Sequence, residues 1–135
     1  MRENVLGRWT SMPRIDLIKE DNGQRPIINR VVSYIDDKYY YEISLKTLAA
    51  MFKVNAAYLG RLFKNETGEI FSYYLNNVRI EKAKQMLMET SLSAKKVAVR
   101  VGYTNSNYFY EVFKKFTGVY PTQYRNYSCR FSITQ

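Results

Sequence analysis

A chain of 135 residues has room for one compact domain or two very small ones sharing a core, and 46% apolar residues are enough to bury one. Its 21 Lys and Arg against 12 Asp and Glu leave a net charge of +9, the footprint of a polyanionic partner. With no His and a single Cys, Cys129, the sequence excludes a conventional structural zinc site, an internal disulfide and His-based acid-base chemistry.

Residues 1–26 contain Gly7, Pro13, Gly23 and Pro26, mixed charge and no sustained period, and read as a linker or tail. After Pro26, Ile28, Val31, Val32 and Ile35 fall at i, i+3, i+4 and i+7, which predicts an amphipathic helix to about Tyr39. Ser44 is suited to cap a helix through about Phe52 that buries Leu45, Leu48, Ala49 and Phe52. A short turn at Lys53-Val54 leads to a helix capped by Asn55, with Leu59, Leu62 and Phe63 inward and Gly68 as its left-handed stop. From Phe71 to about Glu89 a longer helix is marked by Phe71, Tyr74, Leu75, Val78, Ile80, Ala83 and Leu87; its nineteen positions would span about 28 Å. Ser93 opens a helix through about Val101, Gly102-Tyr103-Thr104-Asn105 forms a turn, and the next helix runs from about Ser106 to Gly118. Pro121 and Thr122 open a last short helix to about Asn126, leaving 127–135 as a weakly structured tail.

The second half of this pattern repeats the first. Tyr58-Leu59-Gly60-Arg61-Leu62-Phe63-Lys64-Asn65-Glu66-Thr67-Gly68 returns as Tyr108-Phe109-Tyr110-Glu111-Val112-Phe113-Lys114-Lys115-Phe116-Thr117-Gly118, and Tyr74 returns as Tyr124. Upstream, Ser44, Lys46, Leu48 and Ala49 match Ser93, Lys95, Val97 and Ala98 once an extra residue is allowed in the second turn. Helix, short turn and helix, duplicated in a basic chain, suggest two helix-turn-helix units acting on duplex DNA. The expected fold is all-α, with about seven helices and two such units joined by the long central helix. Leu48, Leu62, Phe63, Val97, Val112 and Phe113 read as core, and Met86 and Met88 as packing. Asp36 and Asp37 read as solvated surface.

Phe63-Lys64-Asn65-Glu66-Thr67-Gly68, Arg79-Ile80-Glu81-Lys82-Ala83, Val101-Gly102-Tyr103, Tyr108-Phe109, Phe113-Lys114-Lys115, Thr117-Gly118, Pro121 and Tyr124-Arg125 closely resemble the DNA-binding domain of AraC-type transcription regulators. The wording is similar to the bacterial subset in which this domain follows a two-component receiver domain. The resemblance spans 27–126, divided into a first unit at about 27–70, a connecting helix at 71–89 and a second unit at 93–126. It implies a seven-helix fold whose third and sixth helices enter adjacent major grooves. A central helix of this length is of the order of the roughly 34 Å between successive grooves on one face of B-DNA.

Carried over by position, the groove-facing residues are Asn55, Ala56, Ala57, Gly60 and Arg61 in the first recognition helix and Ser106, Asn107, Tyr110 and Glu111 in the second. Arg61 has two donors for guanine, Asn107 suits adenine, Glu111 can accept from cytosine N4, and Ala56 and Ala57 offer methyl contacts to thymine. Gly60 permits close backbone approach. Glu111 stands where relatives commonly carry a basic or small polar residue; it either specifies a base or pairs with Lys114. Tyr58 and Tyr108 read as packing or phosphate contacts. Phosphate anchoring is assigned to Ser44, Lys46, Ser93, Lys95, Lys96, Lys114 and Arg125.

No nucleophile with an orienting base is visible, so an enzyme is not expected, nor is any cofactor. The absence of a membrane-span run or signal-peptide h-region leads to an expected cytoplasmic location. Expected partners are promoter DNA and RNA polymerase. The chain reads as a fragment of a larger regulator or a small stand-alone member; an isolated monomer is expected, with dimerisation left to a missing domain. A non-specific architectural DNA or RNA protein is the alternative.

Overall fold

The computed structural model describes residues 26–134, with side chains to Tyr127, and is helical throughout apart from turns. Seven helices follow in order: α1 (Ile27–Lys38), α2 (Leu45–Phe52), α3 (Ala56–Thr67), α4 (Phe71–Glu89), α5 (Ala94–Arg100), α6 (Ser106–Thr117) and α7 (Pro121–Thr134). The expected linker, but for Pro26, lies outside the described residues. The last helix continues to Thr134, beyond the expected stop at Asn126, so most of the expected tail is helical backbone.

Two compact units divide between Leu75 and Asn76, inside α4. The first buries Ile28, Val31 and Ile35 of α1, Leu48 and Ala49 of α2, Leu59 and Phe63 of α3, and Phe71, Tyr74 and Leu75 from the start of α4. Phe63 stands edge-on to both Phe71 and Tyr74, at 5.9 and 5.6 Å between ring centroids. The Tyr74 hydroxyl donates to Asp36 Oδ1 at 2.8 Å, so Asp36 is a tie between α1 and α4, where sequence had suggested only solvated surface. In the second unit, Val97 and Ala98 of α5, Val101 and Tyr103 of the turn, and Phe109, Val112 and Phe113 of α6 are buried. Four core expectations fail. Leu45 and Phe52 of α2 are half-buried, since only Leu48 and Ala49 of that helix face the core. Leu62 is only half-buried, and Met88 is 55% exposed, because it faces outward near the end of α4.

The duplication is atomic as well as sequential. Each turn closes with the same bond: Val54 N–H to the Ala49 carbonyl and Tyr103 N–H to the Ala98 carbonyl, both 2.9 Å. The residue before each donor is left-handed. It is Gly102 in the second unit, at φ 109°, but Lys53 in the first, at φ 61°. A side chain in that conformation costs roughly 1–2 kcal/mol, which only glycine escapes. The extra residue of the second turn, Thr104, therefore enters after the bond closes and before the next helix is capped.

Candidate nucleic-acid interface

The recognition helices α3 and α6 begin and end on matching atoms. Asn55 Oδ1 accepts from the Tyr58 N–H at 2.9 Å, and Asn105 Oδ1 from the Tyr108 N–H at 3.1 Å. At the other ends, Gly68 N–H donates to the Lys64 carbonyl and Gly118 N–H to the Lys114 carbonyl, at 2.8 and 2.7 Å. Thr67 and Thr117 hydroxyls donate to the Phe63 and Phe113 carbonyls at 2.7 and 2.8 Å. Each hydroxyl then accepts the N–H two residues on, from Glu69 or Val119. Asn105 was not among the expected site residues, although the fifty-residue offset maps Asn55 directly onto it.

Because both helices keep one register, their outward rows correspond. Ala57, Arg61 and Lys64 are exposed on α3, and Asn107, Glu111 and Lys114 occupy the same places on α6, at i, i+4 and i+7 of one face. Ala56, Gly60, Ser106 and Tyr110 are half-buried beside these rows. Asn55 is exposed, and while its carboxamide oxygen accepts the capping bond its amide nitrogen is free to donate outward. Gly60 faces inward: a Cβ built there would lie 3.1 Å from Leu45 Cδ1, so the glycine lets α2 approach α3. Packing against Leu45 is thus a reason for this glycine that the sequence did not show. Tyr58 and Tyr108 are 46% and 53% exposed, too open for core positions.

The expected phosphate contacts divide. Lys46, Lys95 and Lys96 are exposed on α2 and α5. Ser44 closes a capping box: its Oγ accepts the Thr47 N–H at 3.1 Å while Thr47 Oγ1 accepts the Ser44 N–H at 3.0 Å. Ser93 Oγ accepts the Lys96 N–H at 3.2 Å, with lysine where the reciprocal acceptor would stand. The Lys114 ammonium lies 4.8 Å from the centroid of the Tyr120 ring, which positions it without removing its donors. Arg125 turns inward. Its Nε donates to the Leu87 carbonyl at 2.9 Å and one terminal nitrogen to the Thr90 and Leu92 carbonyls at 3.2 and 2.6 Å. Nε and one terminal nitrogen are thus engaged at the exit of α4, a use that its place in a basic stretch did not reveal.

Behind α6, the Arg79 guanidinium lies 5.2 Å from the Tyr103 ring, whose hydroxyl donates to Asn76 Oδ1 at 2.6 Å. Burial lowers the Arg79 pKa from its ordinary value and raises that of Tyr103, the latter partly offset by the Arg79 charge. Tyr103 therefore stays a neutral donor. Its ring touches Phe109 at 5.3 Å and Tyr108 at 5.9 Å, fixing the turn against the start of α6.

A helix-turn-helix domain family matches residues 48–127, covering both recognition helices. The chain belongs to this family, in its AraC-type branch. Among AraC-type relatives, it is 42% identical over 103 residues to the uncharacterized transcriptional regulatory protein YesN of Bacillus subtilis, covering 73% of this chain and 28% of that protein. The C-terminal domain of AraT, a response regulator from Geobacillus stearothermophilus, superposes with a TM-score of 0.73 at 38% identity, over 75% of this chain and 84% of that one. The DNA-binding domain of AdpA, solved with a target DNA, gives 0.72 at 25% identity, over 76% and 94%. The chain spans between 28% and 58% of the length of the first curated relatives it matches.

Proposed function

We propose that this chain is the DNA-binding module of a bacterial transcription regulator, inserting α3 and α6 into adjacent major grooves of duplex DNA. The observation that carries this reading is the matched pair of exposed rows, Ala57-Arg61-Lys64 and Asn107-Glu111-Lys114, on helices capped and terminated by the same atoms. Its relatives are transcription regulators, and one structural neighbour holds target DNA. Arg61 and Asn107 are assigned to guanine and adenine edges, with Ala56, Ala57 and Ser106 in supporting base contact and Asn55 contributing its amide nitrogen. Gly60 and Tyr110 shape the two helices beside those contacts. Lys46, Lys95, Lys96, Lys114 and the helix starts at Ser44 and Ser93 hold the phosphates.

The larger regulator to which the module belongs supplies signal sensing, contact with RNA polymerase follows from its role at promoters, and the isolated module binds as a monomer in the cytoplasm. No chemical step is assigned to it. Selection of the protein on a random duplex library near physiological salt tests the reading. Two short boxes about one helical turn apart are expected; binding without enrichment would replace it with a non-specific architectural role.

A further inference from the structure

Glu111 is the only acidic residue between Ser93 and Arg125, a stretch with six basic ones. It is exposed in the middle of the outward row of α6, at the place that Arg61 fills on α3. On a helix, its neighbours are Asn107 and Tyr108 one turn before and Lys114 and Lys115 one turn after. The Lys114 ammonium sits over the Tyr120 ring instead, and among the described residues the Glu111 carboxylate has neither an ion pair nor a hydrogen bond. Of the two roles that the sequence left open, pairing with Lys114 is not the one found in this structure.

An unpaired carboxylate facing a phosphate-lined groove is repelled unless it meets a donor. It can only accept hydrogen bonds, so the major-groove edges of guanine (N7, O6) and thymine (O4) offer it nothing, and adenine places an acceptor beside its amino group. Cytosine presents its N4 amino group alone. We infer that Glu111 makes the second unit select cytosine at one position, by attraction to N4 and by exclusion of acceptor-bearing edges, so the two rows read chemically opposite bases: guanine through Arg61 and cytosine through Glu111. This inference rests on the reading of α6 as a recognition helix. It gives the acidic residue a discriminating role, since its charge lowers affinity for every duplex and most for the wrong ones.

The test compares the unmodified chain and Glu111→Gln in parallel selections on one random duplex library, with affinities then measured on the enriched duplex, on duplexes changed at single positions, and on random duplex. The expected result is a cytosine preference of about tenfold at one position of one box. In Glu111→Gln that preference is lost or moves to adenine, the other box is unchanged, and random-duplex affinity rises a few-fold. Two enriched boxes in both proteins with identical base preferences would overturn the role of Glu111 and leave DNA reading intact. No enrichment by the unmodified chain would overturn both.

Discussion

Arg125 shows how one side chain's partners decide its role. A basic residue after a helix-turn-helix unit invites a phosphate assignment, yet its guanidinium bridges three carbonyls at the end of α4 and the segment after it. Carbonyls at a helix exit lack intrahelical donors, and a cation there also meets the negative end of the helix dipole. Arg125→Ala should therefore lower stability by about 2 kcal/mol in urea unfolding, as expected for hydrogen bonds made by a charged group. The slope of log affinity against log salt should be unchanged. A slope reduced by about 0.9 would instead return Arg125 to the phosphate contacts. Composition alone could not separate these uses, because the carbonyls that capture Arg125 lie more than thirty positions earlier in the chain.

At the scale of the elements, the two helix-turn-helix units differ in bulk at one matched pair of positions. Leu45 and Gly60 in the first correspond to Ala94 and Tyr110 in the second: large then absent, small then large. A Cβ at Gly60 would lie 3.1 Å from Leu45 Cδ1, so a side chain there requires Leu45 to give way. Gly60→Tyr should destabilise the chain by about 1–3 kcal/mol through overpacking, and Leu45→Ala in the same chain should recover part of that loss. Thermal or urea unfolding of the single and double variants would give the coupling, and strictly additive losses would reject the pairing. Much of the element order was legible because periodicity, Ser and Asn caps and stop glycines are local signals. The limits of α4 emerged as expected, and so did the Lys53-Val54 turn. What was not legible depended on contacts between helices: the inward reason for Gly60, the bond from Tyr74 to Asp36, and the exposure of Met88. For the candidate site, the family resemblance implied the groove-facing residues, but burial was needed to distinguish Ala57 and Asn107 from the half-buried Ala56 and Ser106 beside them.

For the whole molecule, the surplus of nine positive charges is the quantity that matters. No described helix is long and apolar enough to cross a membrane. Exposed lysines on α2, α5 and α6 should make DNA affinity fall steeply with salt, by roughly 0.9 log units per log unit for each phosphate neutralised. Replacing Lys95 and Lys96 together by Ala should reduce that slope by about 2, and replacing Lys46 by about 1. Titrations on a selected duplex between low and near-physiological salt would measure both, and equal slopes in all three proteins would place the lysines outside the phosphate contacts. The capping atoms at both ends of α3 and α6 have one further consequence. They hold each helix by Asn, Thr and Gly, none of which belongs to the outward rows. The four letters at 57, 61, 107 and 111 can therefore be rewritten without touching the atoms that cap and end the two helices, so under the proposed reading much of the DNA address can drift, or be redesigned, while the folding is left alone.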